Sequence, residues 1–202
     1  MKQLLLDIKP DALPTLQNFV AGRNGEALNS LNALLQATAQ SRFIYLWGEK
    51  GSGKSHLLMA CKAIGMRVAD DVHLLDNEAQ IALFNQYNQL KETGATLITA
   101  GLHAPTQMGL RADLATRLAW GLVYQLHPLN DAEKALALSN HANERGMRLP
   151  AEVVDYCLRY LRRDLPTLMA TLNALDEWSL TMQKPITVPM LRKLLQLNLE
   201  ID

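Results

Sequence analysis

The sequence predicts an α/β protein: a parallel sheet carrying a phosphate-binding loop, followed by a small all-helical lid. Three observations support this. The run Gly48-Glu49-Lys50-Gly51-Ser52-Gly53-Lys54-Ser55 satisfies G-x-x-x-x-G-K-[ST] at every constrained position. Up to Pro128, short apolar runs alternate with segments of helical period, as parallel βαβ units require. Beyond Pro128 only helical periodicity remains.

The elements follow in order. The first 25 residues, punctuated by Pro10, Pro14, Gly22 and Gly25, read as loop. A helix over 26–36 sets Ala27, Leu28, Leu31, Leu34 and Leu35 on one face. Phe43-Ile44-Tyr45-Leu46-Trp47 has the apolar, aromatic character of a buried parallel strand, and the phosphate loop opens a helix over 55–64. A short strand over 66–69 runs into Asp70-Asp71. A helix over 77–91, with Ile81, Phe84 and Leu90 among its apolar positions, ends at Gly94. Strands over 95–100 and 122–126 enclose a helix over 111–120. The lid reads as helices over 131–145, 150–162, 165–178 and 187–197. Two apolar stripes there are core packing: Val153, Val154, Cys157, Leu158 and Leu161, then Leu165, Leu168, Leu172 and Leu175. The expected division is an N-terminal segment 1–14, a nucleotide-binding domain 15–128 and a helical lid 129–202.

Composition narrows the function classes. Apolar residues are 49% and charged residues 20%, ordinary for a globular domain. Lys plus Arg equals Asp plus Glu at 20 each, which gives no support to charge-driven binding of nucleic acid. Cys61 and Cys157 each fall within an apolar helical pattern and read as buried structural thiols. The five histidines show no metal-ligand spacing. With neither a secretory segment nor an apolar run near 18 residues, the expectation is a cytoplasmic protein with no membrane partner.

The loop defines a chemistry. Glycines allow successive backbone N–H groups to turn inward on phosphate oxygens, and the following helix adds the positive end of its dipole. With ADP or ATP as the expected ligand, Lys54 is expected to reach the β-phosphate and, in ATP, the γ-phosphate, and the Ser55 hydroxyl to ligate Mg²⁺. An acidic partner is needed at the end of a neighbouring strand. Asp70 is expected to serve the metal and Asp71 to orient an attacking water, although paired aspartates are also common turn and cap residues. Only 16 residues separate Lys54 from Asp70. That exceeds the roughly dozen residues a parallel crossover needs, and leaves no room for a further strand and helix.

With these motifs in place, the chain resembles the AAA+ ATPases, and among them the DnaA/Hda family of bacterial replication-initiation proteins. The resemblance covers nearly the whole chain. It rests on Asn18-Phe19-Val20 with Gly22 and Asn24, Tyr45-Leu46-Trp47-Gly48, Gly53-Lys54-Ser55-His56-Leu57-Leu58, Asp70-Asp71-Val72, and Arg117-Leu118-Ala119-Trp120-Gly121-Leu122. It implies a nucleotide set of Phe19, Val20, Gly48, Gly51, Ser52, Gly53, Lys54, Ser55 and His56. It also implies that Arg117 is an arginine finger directed at the nucleotide of a neighbouring subunit, a device worth about 10³–10⁵ in rate. Gln3-Leu4-Leu5-Leu6-Asp7-Ile8 is similar to the short peptide that Hda-type proteins insert into the DNA sliding clamp, the beta subunit of DNA polymerase III. Gln3 would hydrogen-bond there while Leu4, Leu6 and Ile8 fill an apolar pocket. The same six residues would also suit an N-terminal strand.

Departures from the family pattern matter as much. The N-terminal interaction domain and the C-terminal DNA-reading helix-turn-helix of DnaA have no counterpart, and the segment missing between Lys54 and Asp70 holds an edge strand and single-strand-binding helices in DnaA. No sequence-specific DNA binding is therefore expected. Small residues, Ala100 and Gly101, stand where a polar residue is expected at the end of a strand. The lid arginine that senses the γ-phosphate aligns with Pro166, read as a loop proline, with Arg162 and Arg163 one turn earlier. Two functions remain open. One is a nucleotide-bound adaptor on the sliding clamp that stimulates hydrolysis of DnaA-bound ATP. The other is an autonomous ATPase of the helicase-loader or initiator type using Lys54, Ser55, Asp70 and Asp71 in cis. DnaA and the clamp are the expected partners under the first, and self-association is left open.

Overall fold

Phe43–Trp47 (β1), Arg67–Ala69 (β2), Leu97–Gly101 (β3) and Leu122–Gln125 (β4) form one parallel sheet in the order β2-β3-β1-β4. The computed structural model describes residues 13–36, 38–39, 41–161 and 164–199. β1 and β3, the two central strands, are buried along almost their whole length. Alternate residues of the pleat face opposite layers. Ile44, Leu46, Ile98 and Ala100 pack with Ala27 and Leu31 of α1 (Gly25–Leu35) and with Leu57, Leu58 and Cys61 of α2 (Lys54–Ala63). Tyr45 and Leu97 pack on the other face with Leu83 and Tyr87 of α3 (Asn77–Thr93) and with Leu114 and Leu118 of α4 (Ala112–Ala119). Helices therefore cover both faces, which is why the central strands read as continuous apolar runs.

The short connection after Lys54 has a direct consequence. α2 turns through Gly65, with Met66 N–H donating to Cys61 O at 3.0 Å, and leads straight into β2. β2 has three residues and pairs only with β3, so it forms the sheet edge. α3 begins at an Asp76 cap, whose Oδ1 accepts from Ala79 N–H at 2.8 Å, and ends at left-handed Gly94.

Two details differ from the sequence reading. The buried stripe of α3 is Leu83 and Tyr87 flanked by Phe84 and Leu90, whereas Ile81 is 38% exposed. Ile81 lies two residues from Leu83, roughly 200° around the helix, so the two cannot share a buried face. Leu35 closes α1 half out in solvent, while Ala27 and Leu31, one turn apart, are buried.

The lid comprises α5 (Asp131–Glu144), α6 (Ala151–Tyr160), α7 (Leu165–Met182) and α8 (Val188–Leu199). From Asn130 onward these helices form a compact unit of their own, with a core built on Leu138, Val153, Cys157, Leu168, Leu172 and Leu191. Asn130 and Glu133 form a reciprocal capping box at α5, both bonds 2.8 Å. Asp164 caps α7 by accepting from Thr167 N–H at 3.0 Å. Pro166 is thus not a loop residue: it sits in the first turn of α7, where its missing N–H would have had no helical partner. Cys61 and Cys157 are free and fully buried, and burial pushes their thiols up to about 12 and about 11. No helix among the described residues is long and apolar enough to cross a membrane.

One buried polar residue ties the start of α1 to the end of the sheet. Asn24, 3% exposed, donates through Nδ2 to His127 O and accepts through Oδ1 from His127 N–H, both at 2.8 Å. Asn24→Ala leaves both backbone groups of His127 without these partners, so it should lower stability by about 1–3 kcal/mol. Urea unfolding measures this, and an unchanged midpoint would show that water replaces both bonds at no cost.

Candidate functional site

The phosphate loop is shaped by what lies against it. β1 ends at Trp47, whose carbonyl accepts from Leu126 N–H at 2.6 Å. Gly48 follows with φ +150°, and a Cβ there would overlap the Leu126 carbonyl. Only glycine allows the chain to leave the sheet this close to its neighbour. Gly51 and Gly53 continue the turn at φ +83° and +94°, and Gly53 is the residue from which α2 starts. The loop thus delivers Lys54 into the first helical turn, 9% exposed, with Nζ donating to Gly48 O at 2.7 Å and Glu49 O at 2.9 Å. Burial pulls the Lys54 pKa below the ordinary lysine range, opposed by the charges of Asp70 and Asp71. Ser52 Oγ is buried in the same loop without a hydrogen-bond partner. A cationic side chain, an orphaned hydroxyl and a glycine turn at a helix N-terminus together fit a phosphate chain.

The acidic partner lies within direct reach. Ser55 Oγ donates to Asp70 Oδ2 at 2.9 Å, while Asp70 Oδ1 accepts from Asp71 N–H at 2.8 Å. Both carboxylate oxygens of Asp70 are thereby oriented, and a hydroxyl and a carboxylate stand side by side as hard oxygen donors suited to Mg²⁺. Asp71 is left-handed, with φ +47°, a conformation few non-glycine residues adopt. Its Oδ1 lies 4.0 Å from His73 Nδ1, a buried nitrogen with no hydrogen-bond partner. Among the described residues no three His, Cys, Asp or Glu side chains gather as a cation cage.

The segment before α1 returns to this loop. Thr15 and Asn18 close a turn through two reciprocal bonds of 2.8 and 3.1 Å, and buried Leu16 anchors it in the core. The Phe19 ring then lies 5.4 Å from that of His56, and His56 Nε2 is 3.0 Å from Thr15 O. A Cβ on Gly53 would come within 2.6 Å of Phe19 Cε2. Phe19 and His56 therefore meet over the start of α2, with half-buried Val20 next in the chain.

At the end of β3 the small residues have a steric reason that the sequence did not reveal. Tyr45 Oη donates to His103 O at 2.9 Å and lies 3.3 Å from Met108 Sδ. A Cβ on Gly101 would overlap that oxygen. Ala100 faces the opposite layer, fully buried against the α2 side. Tyr45 thus takes the space a side chain at 101 would need.

Arg117 occupies the last turn of α4, half-buried. Its guanidinium lies 4.2 Å from the Trp120 ring centre and 5.7 Å from that of Phe84. α4 itself is held at its start: Arg111 N–H donates to Gln80 Oε1 at 2.9 Å, Arg111 Nη1 to Asn77 Oδ1 at 3.2 Å, and Arg111 Nη2 pairs with Asp113 at 2.9 Å. The clamp-peptide residues Gln3, Leu4, Leu6 and Ile8, together with Arg162 and Arg163, lie outside the described residues.

Comparison with known proteins agrees with this architecture. The family model of the Hda lid domain matches residues 131–195. Domain III of DnaA from Thermotoga maritima superposes with a TM-score of 0.68 at 20% identity, covering 90% of this chain and 95% of that one. AMPPCP-bound DnaA from Aquifex aeolicus gives 0.66 at 22% identity over 85% of this chain and 66% of that one, so the chain spans about two thirds of that initiator. RuvB of Thermotoga maritima gives 0.59 at 14% identity, over 95% and 72%. At these identities the likeness to the solved structures is one of fold. Residues 131–195 thus match a lid of the Hda type, and the chain as a whole shares the fold of DnaA domain III.

Proposed function

We propose that this chain is a regulatory adaptor of bacterial replication initiation. In this reading it holds ADP or ATP with Mg²⁺, sits on the DNA-loaded sliding clamp through Gln3, Leu4, Leu6 and Ile8, and presents Arg117 to ATP held by DnaA. Stimulated hydrolysis there prevents reinitiation. The match of residues 131–195 to the Hda lid carries the proposal, and the mounting of half-buried Arg117 against the exposed Trp120 ring supports it. Arginine lends itself to this task because its planar fork keeps its charge at any physiological pH and pairs with phosphate oxygens bidentately. In its own nucleotide site, Gly48 to Ser55 and Asp70 would bind and orient phosphates and metal, with Phe19, Val20 and His56 alongside. Bound Mg²⁺ would supply charge neutralisation for the phosphates.

A second reading is an autonomous ATPase. The 2.9 Å Ser55–Asp70 contact and the buried Lys54 favour it, because a metal-binding pair and a phosphate-binding cation stand together at the loop. Against it stand the small residues Ala100 and Gly101 and the helix-embedded Pro166, which leave the γ-phosphate without its usual polar contacts. The adaptor reading expects negligible hydrolysis by the purified chain alone, and steady turnover without DnaA would favour the ATPase.

Three variants test the assignment. Lys54→Ala should weaken binding of a fluorescent ADP by about 10–100-fold, the worth of a charged hydrogen bond to phosphate. Undiminished binding would remove Lys54 from the phosphate site. Arg117→Ala should cut the stimulation of DnaA by roughly 10³-fold in the presence of clamp and DNA. If stimulation survives, the adaptor mechanism is wrong. Replacing Gln3 and Leu4 by alanine should abolish retention on the clamp in gel filtration and spare nucleotide affinity, and unchanged retention would discard the N-terminal peptide.

A further inference from the structure

Lys91 Nζ lies 4.8 Å from the centre of the Trp120 ring, the same ring over which the Arg117 guanidinium sits at 4.2 Å. Trp120 is 58% exposed for so large an apolar ring, and Lys91 is exposed in the last turn of α3. Two helices well separated in sequence thus bring two cations to one indole at the surface. Neither cation has a carboxylate within 4.0 Å among the described residues, whereas Arg111 on the approach to the same helix is neutralised by Asp113 at 2.9 Å. The chain as a whole carries equal numbers of acids and bases, so an uncompensated pair is not a consequence of composition. Like charges on one ring repel, and the face of the indole attracts each without cancelling it. An exposed indole bearing two cations that have no carboxylate partner among the described residues suits a polyanion with closely spaced charges.

We propose that Lys91 is a second phosphate-binding residue of the Arg117 surface. It contacts the triphosphate of the same neighbouring subunit, and Trp120 is the shelf that spaces the two cations. The inference rests on the reading of Arg117 as acting in trans. The two groups divide the work by their chemistry. The Arg117 fork meets charge as it develops on the transferred phosphoryl group, so it sets the rate at saturation. The Lys91 ammonium is a compact point charge on a flexible stem, so it adds attraction to the phosphate chain in the ground state and sets how tightly the ATP-loaded partner is held.

The test uses the full chain, clamp-loaded DNA and DnaA, with Lys91→Gln, Lys91→Arg, Lys91→Glu and Arg117→Ala. Two quantities are read: the concentration giving half-maximal hydrolysis, and direct binding to DnaA loaded with either AMPPCP or ADP. Lys91→Gln should raise the half-maximal concentration and weaken binding to AMPPCP-loaded DnaA by about tenfold, with the maximal rate and the melting temperature unchanged. Lys91→Glu should lose more, Lys91→Arg should behave as the unaltered chain, and binding to ADP-loaded DnaA should change less. The inference falls if Lys91→Gln and Lys91→Glu match the unaltered chain while Arg117→Ala has lost stimulation, an outcome that leaves the adaptor reading standing. It falls equally if Lys91→Arg fails as badly as Lys91→Gln. Stimulation intact in Arg117→Ala overturns both.

Discussion

The close approach of Gly48 to the Leu126 carbonyl is the constraint on which the nucleotide domain depends. β1 and β4 are parallel neighbours, and the bond from Leu126 N–H to Trp47 O extends their pairing by one residue. At that point β1 must bend away into the phosphate loop, and the space left for Gly48 is smaller than a methyl group. The bend fixes where the Gly48 and Glu49 carbonyls point, and these are the two oxygens that hold the Lys54 ammonium. The residue after Leu126, His127, is itself clamped by Asn24. One steric contact therefore links the loop, the second edge of the sheet and the entry to α1.

The charge arrangement around the loop follows from that geometry. Lys54 is buried, which disfavours its charge, and the two aspartates at the end of β2 work in the opposite direction. β2 can deliver Asp70 to within hydrogen-bond distance of Ser55 because the crossover from α2 is short and β2 pairs directly with β3. The same short crossover leaves β2 at the sheet edge, where its three residues present little unpaired backbone for other strands to join.

The surface around Arg117 is built on different principles. α4 is pinned at its start by polar contacts from Gln80 and Asn77 of α3, and the arginine near its end is held by aromatic rings, with no acid beside it among the described residues. A carboxylate partner would orient the guanidinium equally well, but would neutralise its charge within the chain. An aromatic mounting is worth only about 0.5–1 kcal/mol at an exposed position, and it leaves the hydrogen-bonding edge of the group available to a ligand.

Much of this was legible in the sequence, for a physical reason. Phosphate-loop spacing, helix caps such as Asp76 and Asp164, Gly94 and the alternation of strands with helices are all local patterns, and a helix or strand forms largely where its own residues favour it. Among the described residues the four strands and eight α-helices accordingly lie within a few residues of their expected positions. Contacts between residues far apart along the chain left no such trace: Phe19 over Gly53 and His56, Tyr45 occupying the space beside Gly101, Lys91 and Arg117 sharing Trp120, and the burial of Leu83 rather than Ile81. Pro166 is ambiguous for a related reason, since a proline marks a loop or a first helical turn with equal ease until the Asp164 cap is seen to start the helix. The kind of fold and the residues able to handle phosphate could be read from the chain alone, because both depend on local conformation and side-chain chemistry. Which side chains meet was settled only in three dimensions, because that depends on how the helical layers pack around the four-stranded sheet.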